Sequence, residues 1–557
     1  MIKDKIKEKI KEILGSEVDS GSIVIDIPAD LSHGDYSSNI AMRLAGQLQK
    51  SPMELAETIA SKFEDENIEK VEVVKPGFIN FWVSKKTLLN LIENPQNNFE
   101  KGKKLSGKKI MVEFTDPNPF KEFHIGHLYS NAVGETLSRL LESQGAEVKR
   151  ANYQGDVGMH VAKALYGIQK QEAGIKSIEE SSPKKRAEFL GQSYAQGAKA
   201  YEEDENAKKE IEAINKKVYD QSDPELLELY KKGRQWSLDY FETIYKRLGT
   251  TFDFYYFESE VGEIGLKLVN EFLGKGVFEQ SEGAVIFPGE KHNLHNRVFI
   301  NSLGLPTYEA KELGLNKKKY EDYLFDTSVI VTGNEINEYF KVLLAAMEKI
   351  IPQVASKTKH LGHGMVRLPQ GKMSSRTGSI ITGEWLLDEA KKKIQEEFKD
   401  MKDETAEQVA VGAVKYALLR SAIGRDIAFS FDESISLDGN SGPYLQYTYA
   451  RTNSVLAKKQ EKESKEVQSP KLEKEEEELL RLLFKFAEVV EKAAEEYAPS
   501  FLCTYLFSLA QHFNLFYQKH KIVGSEEEAF RLQLTASVGN VLKSGLHLLG
   551  IQSPEKM

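Results

Sequence analysis

Two histidines three residues apart offer the clearest chemistry in the sequence. His124 and His127 lie on either side of Ile125 and Gly126 in PNPFKEFHIGHLYSNA, where a strand and loop pattern gives way to helical apolar spacing. Amide groups at a helix N-terminus carry partial positive charge, which suits anionic phosphate, and a glycine lets a ligand approach the backbone closely. Histidines there can donate hydrogen bonds to phosphate oxygens. The stretch therefore predicts a phosphate-binding turn.

Two other interpretations of this pair stay open on these residues alone. A zinc-binding helix usually places histidines four apart with a glutamate between them, whereas here the spacing is three and no third ligand is evident nearby. The spacing therefore disfavours a metal site, and we expect none. The histidines can also lie at a helix start by coincidence.

A second candidate loop lies far downstream in HLGHGMVRLPQGKMSSRTGSI. It places Lys372, Ser374, Ser375 and Arg376 between glycines. Alone, such a loop is most often solvated surface. Paired with the histidine turn on a parallel sheet, it would bring a cation and hydroxyl groups to a polyphosphate from the opposite side.

A strand, helix and strand pattern is expected to hold the histidine turn. KIMVEFT predicts a strand that begins at Lys109, a helix follows the histidines, and AEVKRANYQGD predicts a strand that ends in a Gly-Asp turn. This order favours a parallel sheet with its ligand at the carboxyl ends of the strands. The same sheet is expected to resume with GAVIFPG, RVFINSLGLPTYEA and TSVIVTGN.

The patterns divide the chain into three expected domains. Residues 1–105 predict an α+β module with a charged helix, an apolar strand GSIVIDIPAD and the strands of VEVVKPGFINFWVS. Residues 106–400 predict the parallel-sheet domain, with a helical insertion near 170–246. Residues 401–557 predict helices only.

The totals describe an ordinary soluble protein. The chain has 557 residues, 40% hydrophobic residues and a net charge of -10, which argues against indiscriminate nucleic-acid binding but leaves room for a specific RNA partner. No apolar run approaches the roughly 18 residues of a membrane span. The single cysteine excludes an intrachain disulfide. We expect a cytoplasmic monomer.

The order of the two candidate loops resembles that of class I aminoacyl-tRNA synthetases, whose signatures are H-I-G-H and K-M-S-K-S. Two further motifs are similar to the arginyl-tRNA synthetase family: Glu113 and Asn118 in VEFTDPNPFKEFHIGH, and Tyr308 and Glu312 in LPTYEAKELGL. The chemistry agrees, because a planar guanidinium with five N–H donors needs carboxylates and other acceptors.

Both ends of the chain carry the same resemblance. LDGNSGPYLQYTYARTNSVL and the ending VLKSGLHLLGIQSPEKM are similar to the family's anticodon-binding domain. HGDYSSNIA and PGFINFWVS are similar to its N-terminal domain, which binds the tRNA elbow. The resemblance implies an α/β multidomain protein with a Rossmann-type catalytic domain, an α+β N-terminal domain and an all-α C-terminal bundle.

The resemblance also implies an activity and roles for single residues. The protein would form arginyl-adenylate from L-arginine and ATP with Mg²⁺, and transfer arginine to its cognate transfer RNA. Catalytic roles are implied for His124, His127, Lys121 and Lys372. The ATP site would also include Gly126, Gly155, Asp156, Ser374 and Ser375. Arginine would be bound by Glu113, Asn118, Tyr308, Glu312 and Glu335. Transfer RNA would contact Tyr444, Gln446, Tyr447, Arg451 and Met557, although tyrosines on a helical face are more often core.

Several residues depart from the family pattern. The second loop has Ser375 where the signature has its second lysine, and we assign Lys121, just before the histidines, the compensating phosphate contact. Ile336 stands where relatives often have glutamine, with Glu335 beside it as a substitute. Val157 and His160 replace the usual tryptophan and glutamine.

Rival interpretations are a nucleotidyltransferase of the same superfamily, a non-catalytic tRNA-binding relative and a cysteine-specific enzyme. The long helical C-terminus, the intact histidines and the single cysteine argue against them in turn.

Overall fold

The computed structural model describes seven segments of the chain. They are residues 2–15, 18–28, 30–93, 102–171, 175–368, 381–458 and 470–557. Lys372, Ser374 and Ser375 therefore lie outside the described residues. Within these segments no helix is both long and apolar enough to cross a membrane.

The N-terminal module combines four helices with a small antiparallel sheet. The helices are α1 (Ile2–Leu14), α2 (Ile40–Leu44), α3 (Pro52–Lys62) and α4 (Lys85–Glu93). The strands β1 (Tyr36–Ser38), β2 (Ile68–Val74) and β3 (Phe78–Val83) pair in the order β1-β3-β2. The strand predicted at GSIVIDIPAD is wrong. The described residues of this segment make one isolated bridge, from Asp26 to Ser37, although Ile23 and Ile25 are buried as the apolar pattern indicates.

A five-stranded parallel sheet forms the centre of the next domain. The strands from this point are β4 (Lys109–Glu113), β5 (Glu147–Gln154), β6 (Phe254–Phe257), β7 (Glu279–Ser281), β8 (Ala284–Phe287), β9 (Arg297–Ile300), β10 (Thr327–Gly333) and β11 (Thr358–His363). The sheet order is β11-β10-β4-β5-β6, and every neighbouring pair is parallel. The order reverses between β4 and β10, and ligands of such sheets bind outside the carboxyl strand ends at this point.

Two of the predicted sheet strands belong elsewhere. GAVIFPG and RVFI form β8 and β9, which join β7 in a separate antiparallel sheet, so their assignment to the central sheet is wrong. TSVIVTGN does form β10 of the central sheet. Periodicity alone identified all three strands but carried no information about their partners.

Helices surround the parallel sheet. They are α5 (Ile125–Ser143), α6 (Met159–Gln169), α7 (Ile175–Glu179), α8 (Pro183–Glu203), α9 (Glu205–Asp220), α10 (Pro224–Leu248), α11 (Glu258–Leu273), α12 (Tyr308–Asp322), α13 (Asn337–Ile350), α14 (Pro352–Ala355) and α15 (Gly383–Glu397). The described part of the predicted insertion is helical, as expected, and forms α7 to α10. Helix α5 is buried along its length between the sheet and helices of the C-terminal region.

The C-terminal region is a helical bundle. It contains α16 (Asp403–Leu419), α17 (Phe431–Ile435), α18 (Gly442–Leu456), α19 (Lys474–Glu495), α20 (Pro499–Lys519) and α21 (Glu528–Leu548). The expectation of helices only fails at β13 (Ile427–Ala428), which pairs with β12 (Val366–Arg367). The N-terminal module docks on α19 through a buried ion pair of Asp35 with Arg481. Nearby, the Tyr36 hydroxyl donates to Glu488 Oε1 at 2.6 Å. The predicted fold class is confirmed in its three parts.

Candidate active site

His124 and His127 cap the start of helix α5 through hydrogen bonds to each other's backbone. The Nδ1 atom of His124 accepts the backbone N–H groups of Gly126 and His127, at 3.1 and 3.4 Å. The Nδ1 atom of His127 accepts the backbone N–H of His124 at 3.2 Å. The two rings stack with centroids 3.5 Å apart. Each histidine therefore satisfies helix-start donors that would otherwise lack an intrahelical partner.

This arrangement fixes where the imidazole protons lie. An Nδ1 atom that accepts a backbone N–H carries no hydrogen, so the neutral ring holds its hydrogen on Nε2. Burial, reinforced by Lys121, lowers the pKa of His124 to about 4, and burial lowers the pKa of His127 well below its usual value. At neutral pH both side chains are uncharged. Each presents one Nε2–H donor with an orientation set by the other.

Gly126 has a specific reason to be a glycine. A Cβ atom at this position would come within 3.0 Å of Cε1 and Nδ1 of His124. A side chain would therefore push the His124 ring away from the backbone N–H groups that it accepts. Gly126 makes room for the histidine, in addition to the close ligand approach that the sequence indicated.

The chain that follows the second candidate loop lies beside the histidines. The carbonyl of Ile381 accepts the N–H of Ile125 at 3.0 Å, and the N–H of Gly383 donates to the carbonyl of Phe123 at 2.8 Å. Residues 369–380, which contain Lys372, lie outside the described residues. The chain that follows them is nevertheless hydrogen-bonded directly to the histidine turn.

Buried carboxyl groups gather at the carboxyl end of β4 and on helix α12. Glu113 ends β4 and pairs with the fully buried Lys319 of α12 at 2.5 Å. Glu312, which lies on the same helix as Lys319, is also buried, and its Oε1 accepts a hydrogen bond from Asn316 Nδ2 at 3.4 Å. Burial and the negative charge of Glu113 raise the pKa of Glu312 to about 8, while Lys319 opposes the shift. Glu312 therefore has a carboxyl group with no protein cation of its own in a hydrogen-bond or salt-bridge contact among the described residues.

Two further carboxyl groups in this cluster have no counterpart in the motif analysis. Glu258, the first residue of α11, pairs with Lys311 of α12 at 2.6 Å, and both side chains are buried. Asp116 follows β4, and its Oδ1 accepts the N–H of Tyr153 at 2.8 Å. Burial, followed by repulsion from Glu113, raises the pKa of Asp116 well above its usual value. Four carboxyl groups thus share a region that contains two paired lysines. The sequence signal for Glu258 was its position directly after the strand FYYF, at the same edge of the sheet as Glu113.

Asn118 and Gly155 lock the loop after β4 to the loop after β5. Asn118 Oδ1 accepts the N–H of Gly155 at 3.0 Å. A Cβ atom at Gly155 would lie 2.5 Å from this oxygen, so only glycine permits the contact. His160, one of the departures from the family pattern, donates from Nε2 to the Gly155 carbonyl at 2.8 Å.

Asp156 is a buried acceptor held by the protein itself. Its carboxylate accepts from the Tyr230 hydroxyl at 2.8 Å and from the Ser259 N–H and hydroxyl at 2.9 and 2.7 Å. Arg234 Nε lies 3.3 Å from the same group. These four contacts hold the loop, and the Asp156 side chain is fully buried.

Tyr308 and Glu335 are the exposed residues among the candidates for arginine binding. Tyr308 is 65% exposed at the start of α12, one turn before Glu312, and its carbonyl accepts from Tyr339 at 3.2 Å. Glu335 is exposed after β10, and its charge raises the pKa of His124 and His363 against the effect of burial. Ile336 packs against an apolar cluster and offers no polar side-chain atom.

Lys121 lies beside the histidine turn. Burial lowers its pKa, and so does repulsion from Lys163, while Glu258 opposes the shift. Its ammonium stands 5.5 Å from the centre of the Tyr194 ring. Lys121 in turn lowers the pKa of both His124 and His127, so its charge acts directly on the turn.

The tRNA-binding candidates divide into two groups. Tyr444, Tyr447 and Arg451 line a groove of about 820 Å³ on α18, where the Arg451 guanidinium lies 4.8 Å from the Tyr447 ring centre. Gln446 is fully buried on the other side of α18 and donates to the carbonyl of Gln552 at 2.7 Å, so it does not face solvent. Met557 packs partly against the main apolar core.

Comparison with known proteins assigns the family. Residues 90–431 match the model for class I tRNA synthetases (R), catalytic domain. Residues 1–83 match the arginyl tRNA synthetase N-terminal domain, and residues 445–557 the DALR anticodon binding domain. The whole chain aligns with the arginine–tRNA ligase of Borreliella burgdorferi at 32% identity, covering 99% of that protein. The chain belongs to the arginyl-tRNA synthetase family.

Other members of the arginyl-tRNA synthetase family agree in extent and fold. The arginine–tRNA ligase of Treponema denticola is 34% identical over 96% of this chain and 95% of its own length. The solved structure titled Thermus thermophilus arginyl-tRNA synthetase covers 100% of both chains with a TM-score of 0.82, at 24% identity. The family resemblance inferred from the motifs is therefore confirmed, and the shared fold includes all three domains.

Proposed function

We propose that the protein activates L-arginine with ATP and transfers the arginyl group to the terminal adenosine of its cognate transfer RNA. The observation that carries the proposal is the meeting of two groups at the switch point of the sheet. Two Nε2–H donors with fixed orientation suit phosphate oxygens, and a buried cluster rich in carboxyl groups suits a guanidinium.

In the first step an arginine carboxylate oxygen attacks the α-phosphorus of ATP, and pyrophosphate leaves with the electron pair of the broken P–O bond. His124 and His127 donate from Nε2 to phosphate oxygens as negative charge grows there. Mg²⁺ would accompany ATP and would supply counter-charge to its phosphates. Because both imidazoles are neutral, the protein's positive charge at the phosphates comes from lysines, with Lys121 and Lys372 as the proposed contributors.

In the arginine site, Glu312 is the proposed main partner of the guanidinium, since Glu113 already pairs with Lys319. Glu113 then helps to keep the region negative, and Tyr308 is an exposed member of the proposed site. Asn118 and Glu335 are proposed partners of the α-amino end. In the second step the ribose 2′-hydroxyl attacks the arginyl carbonyl carbon and AMP leaves.

The proposal extends to the transfer RNA and to the cellular setting. Tyr444, Tyr447 and Arg451 supply the aromatic and cationic groups that unpaired bases stack on and contact. We propose that residues 1–105, 106–400 and 401–557 act as the elbow-binding, catalytic and anticodon-binding units of a cytoplasmic monomer.

The test is arginine-dependent ATP–pyrophosphate exchange by the purified protein, with and without transfer RNA and with lysine as the control amino acid. Exchange that requires arginine supports the proposal. A protein that binds transfer RNA but exchanges no pyrophosphate under any of these conditions would instead be a non-catalytic relative.

We expect Lys121→Ala to lower the rate of adenylate formation far more than the affinity for arginine. The reason is that Lys121 acts on the histidine turn, whereas within the described part of the chain the effect of the carboxyl cluster on it comes from the charge of Glu258. The loss of one cationic partner at a transferring phosphoryl group is worth about 10²–10³-fold in rate. Single-turnover adenylate formation and equilibrium arginine binding separate the two quantities. Equal losses in both would contradict the assignment.

The affinity for arginine should rise with pH between 6 and 8. Glu312 has a pKa of about 8 in the free protein, and a guanidinium requires its ionised form, so binding below pH 8 must expel a proton. KM for arginine should therefore fall about tenfold from pH 6 to 7 and level off above about pH 8. Titrations in buffers of different ionisation enthalpy measure the released proton directly. A flat pH profile would show that Glu312 does not pair with arginine.

A further inference from the structure

The last turn of α21 and the residues after it are held by side chains from three other helices. This segment, residues 547–552, is called the C-terminal clasp below. Four of its backbone carbonyls accept side-chain hydrogen bonds: His547 from Arg139, Leu549 from Thr136, Gly550 from Lys415 and Gln552 from Gln446. The distances are 2.9, 3.3, 2.8 and 2.7 Å in that order.

The side chains that hold the clasp come from elements with different functions. Thr136 and Arg139 belong to α5, the helix that begins at His124 and His127. Lys415 belongs to α16 and also donates to the carbonyl of Leu248, at the end of α10, at 2.6 Å. Gln446 belongs to α18, between Tyr444 and Tyr447 of the groove. The clasp therefore connects the histidine helix to the helix that carries the RNA-binding candidates.

The chemistry of the clasp indicates a demand for accurate placement. Lys415 is buried, and burial lowers its pKa to about 7. Burial of an amine costs folding free energy that an apolar residue would not cost, so its presence indicates that the two carbonyls need to be held. Gly550 adopts a left-handed backbone with φ of 67°, and a Cβ atom there would lie 3.0 Å from the Lys415 amine. A Cβ atom at Gly412 would lie 2.8 Å from Gln446 Nε2, so the glycine leaves room for the Gln446 side chain.

We propose that the C-terminal clasp is a positioning element for the histidine turn, with Thr136, Lys415 and Gln446 as positioning residues that touch no substrate. The inference rests on the proposed function. A shift of α5 along its axis moves the two Nε2–H donors together, and misplacement by about 1 Å can cost about 100-fold in rate. Releasing the clasp should therefore lower the rate of adenylate formation far more than the affinity for arginine and ATP.

Two near-isosteric variants test this proposal in the full-length protein. Lys415→Met removes one amine that makes two hydrogen bonds and keeps the apolar stem, and Thr136→Val replaces one hydroxyl by a methyl group. We expect Lys415→Met to lower kcat for arginine-dependent pyrophosphate exchange by about 10- to 100-fold, and Thr136→Val by a smaller factor. KM for arginine and for ATP should stay within about twofold. Since both variants release the same segment, the double variant should lose little more than Lys415→Met alone.

Matched controls remove equally buried donors from the same helices. Ser138→Ala on α5 deletes a hydroxyl that donates to the Gly134 carbonyl within that helix at 2.8 Å. Tyr416→Phe on α16 deletes a hydroxyl that lies 2.5 Å from Asn440 Oδ1 and 3.1 Å from the Cys503 carbonyl oxygen, both acceptors inside the helical region. Both controls should leave kcat within about twofold at a temperature well below unfolding.

Three results would overturn the inference: an unchanged kcat in folded Lys415→Met, equal losses in the controls, or losses that multiply in the double variant. If Lys415→Met does not fold, Thr136→Val decides, and an unchanged kcat there counts against the clasp. Wild-type exchange is measured in parallel. Its absence would contradict the proposed function, whereas normal wild-type exchange with unaffected variants contradicts only the clasp.

Discussion

Substitution of Glu312 by glutamine is expected to raise KM for arginine about 100-fold at pH 8.5, while KM for ATP stays within about twofold. Removing one partner of a buried charged pair costs about 2–5 kcal/mol, largely because the other charge is then buried without compensation. The free protein should tolerate the change well. Burial keeps Glu312 protonated in much of the free protein at neutral pH, and glutamine resembles this neutral form. The loss therefore falls on the arginine complex.

Pyrophosphate exchange at varied arginine concentrations measures this effect, and Glu321→Gln is its matched control. Glu321 lies on the same helix but is exposed, where it pairs with Lys317. The control should leave both KM values unchanged. Glu312→Gln should also remove the dependence of KM on pH between 6 and 8. If the variant binds arginine normally, the guanidinium has another partner and Asp116 becomes the next candidate.

The second large effect is expected from His124→Asn. Asparagine is a favourable first residue for a helix, so the start of α5 should persist, but its amide cannot reproduce the Nε2–H of the imidazole. We expect kcat for adenylate formation to fall about 10²–10³-fold, the loss usual for one donor to a developing oxyanion. Thermal unfolding measures whether the start of α5 persists, and single-turnover kinetics measure the fall in the rate of adenylate formation.

A change at another helix start provides the comparison. Asp204 accepts the N–H groups of Asn206 and Ala207 at the beginning of α9, far from the histidines in the chain. Asp204→Asn should leave kcat unchanged. If His124→Asn keeps wild-type kcat, the histidine acts in the structure alone. If it unfolds the protein, His127→Asn repeats the test at the other donor.

The sequence predicted the parts of the site that depend on local pattern. The histidine turn, the strand that ends at Glu113 and the helical spacing of Tyr308 and Glu312 all follow from residues close together in the chain. The lysines that pair with Glu113 and Glu258 could not be predicted in this way. Lys319 and Lys311 look like members of an exposed charged helix in sequence, and only the packing of α12 against the sheet buries them.

Two incorrect expectations have the same physical origin. The apolar pattern of GSIVIDIPAD records burial, which Ile23 and Ile25 confirm, but burial does not require a pairing partner for the backbone. GAVIFPG likewise forms a strand, yet the choice between the parallel and the antiparallel sheet depends on distant residues. Gln446 shows the converse: its neighbours Tyr444 and Tyr447 face the groove, while helical geometry turns Gln446 inward.

The mutual acceptance of backbone N–H groups by His124 and His127 has a consequence for evolution. The two residues are three apart, and the side chain of each accepts the backbone N–H of the other. This pattern is that of a capping box, with imidazoles in place of serine and glutamate. The same two side chains therefore start the helix through Nδ1 and present Nε2–H to the proposed chemistry. Selection for a stable fold would keep both histidines in a descendant that had lost the reaction. In distant homologues, the presence of both histidines is therefore stronger evidence for this helix start than for enzymatic activity.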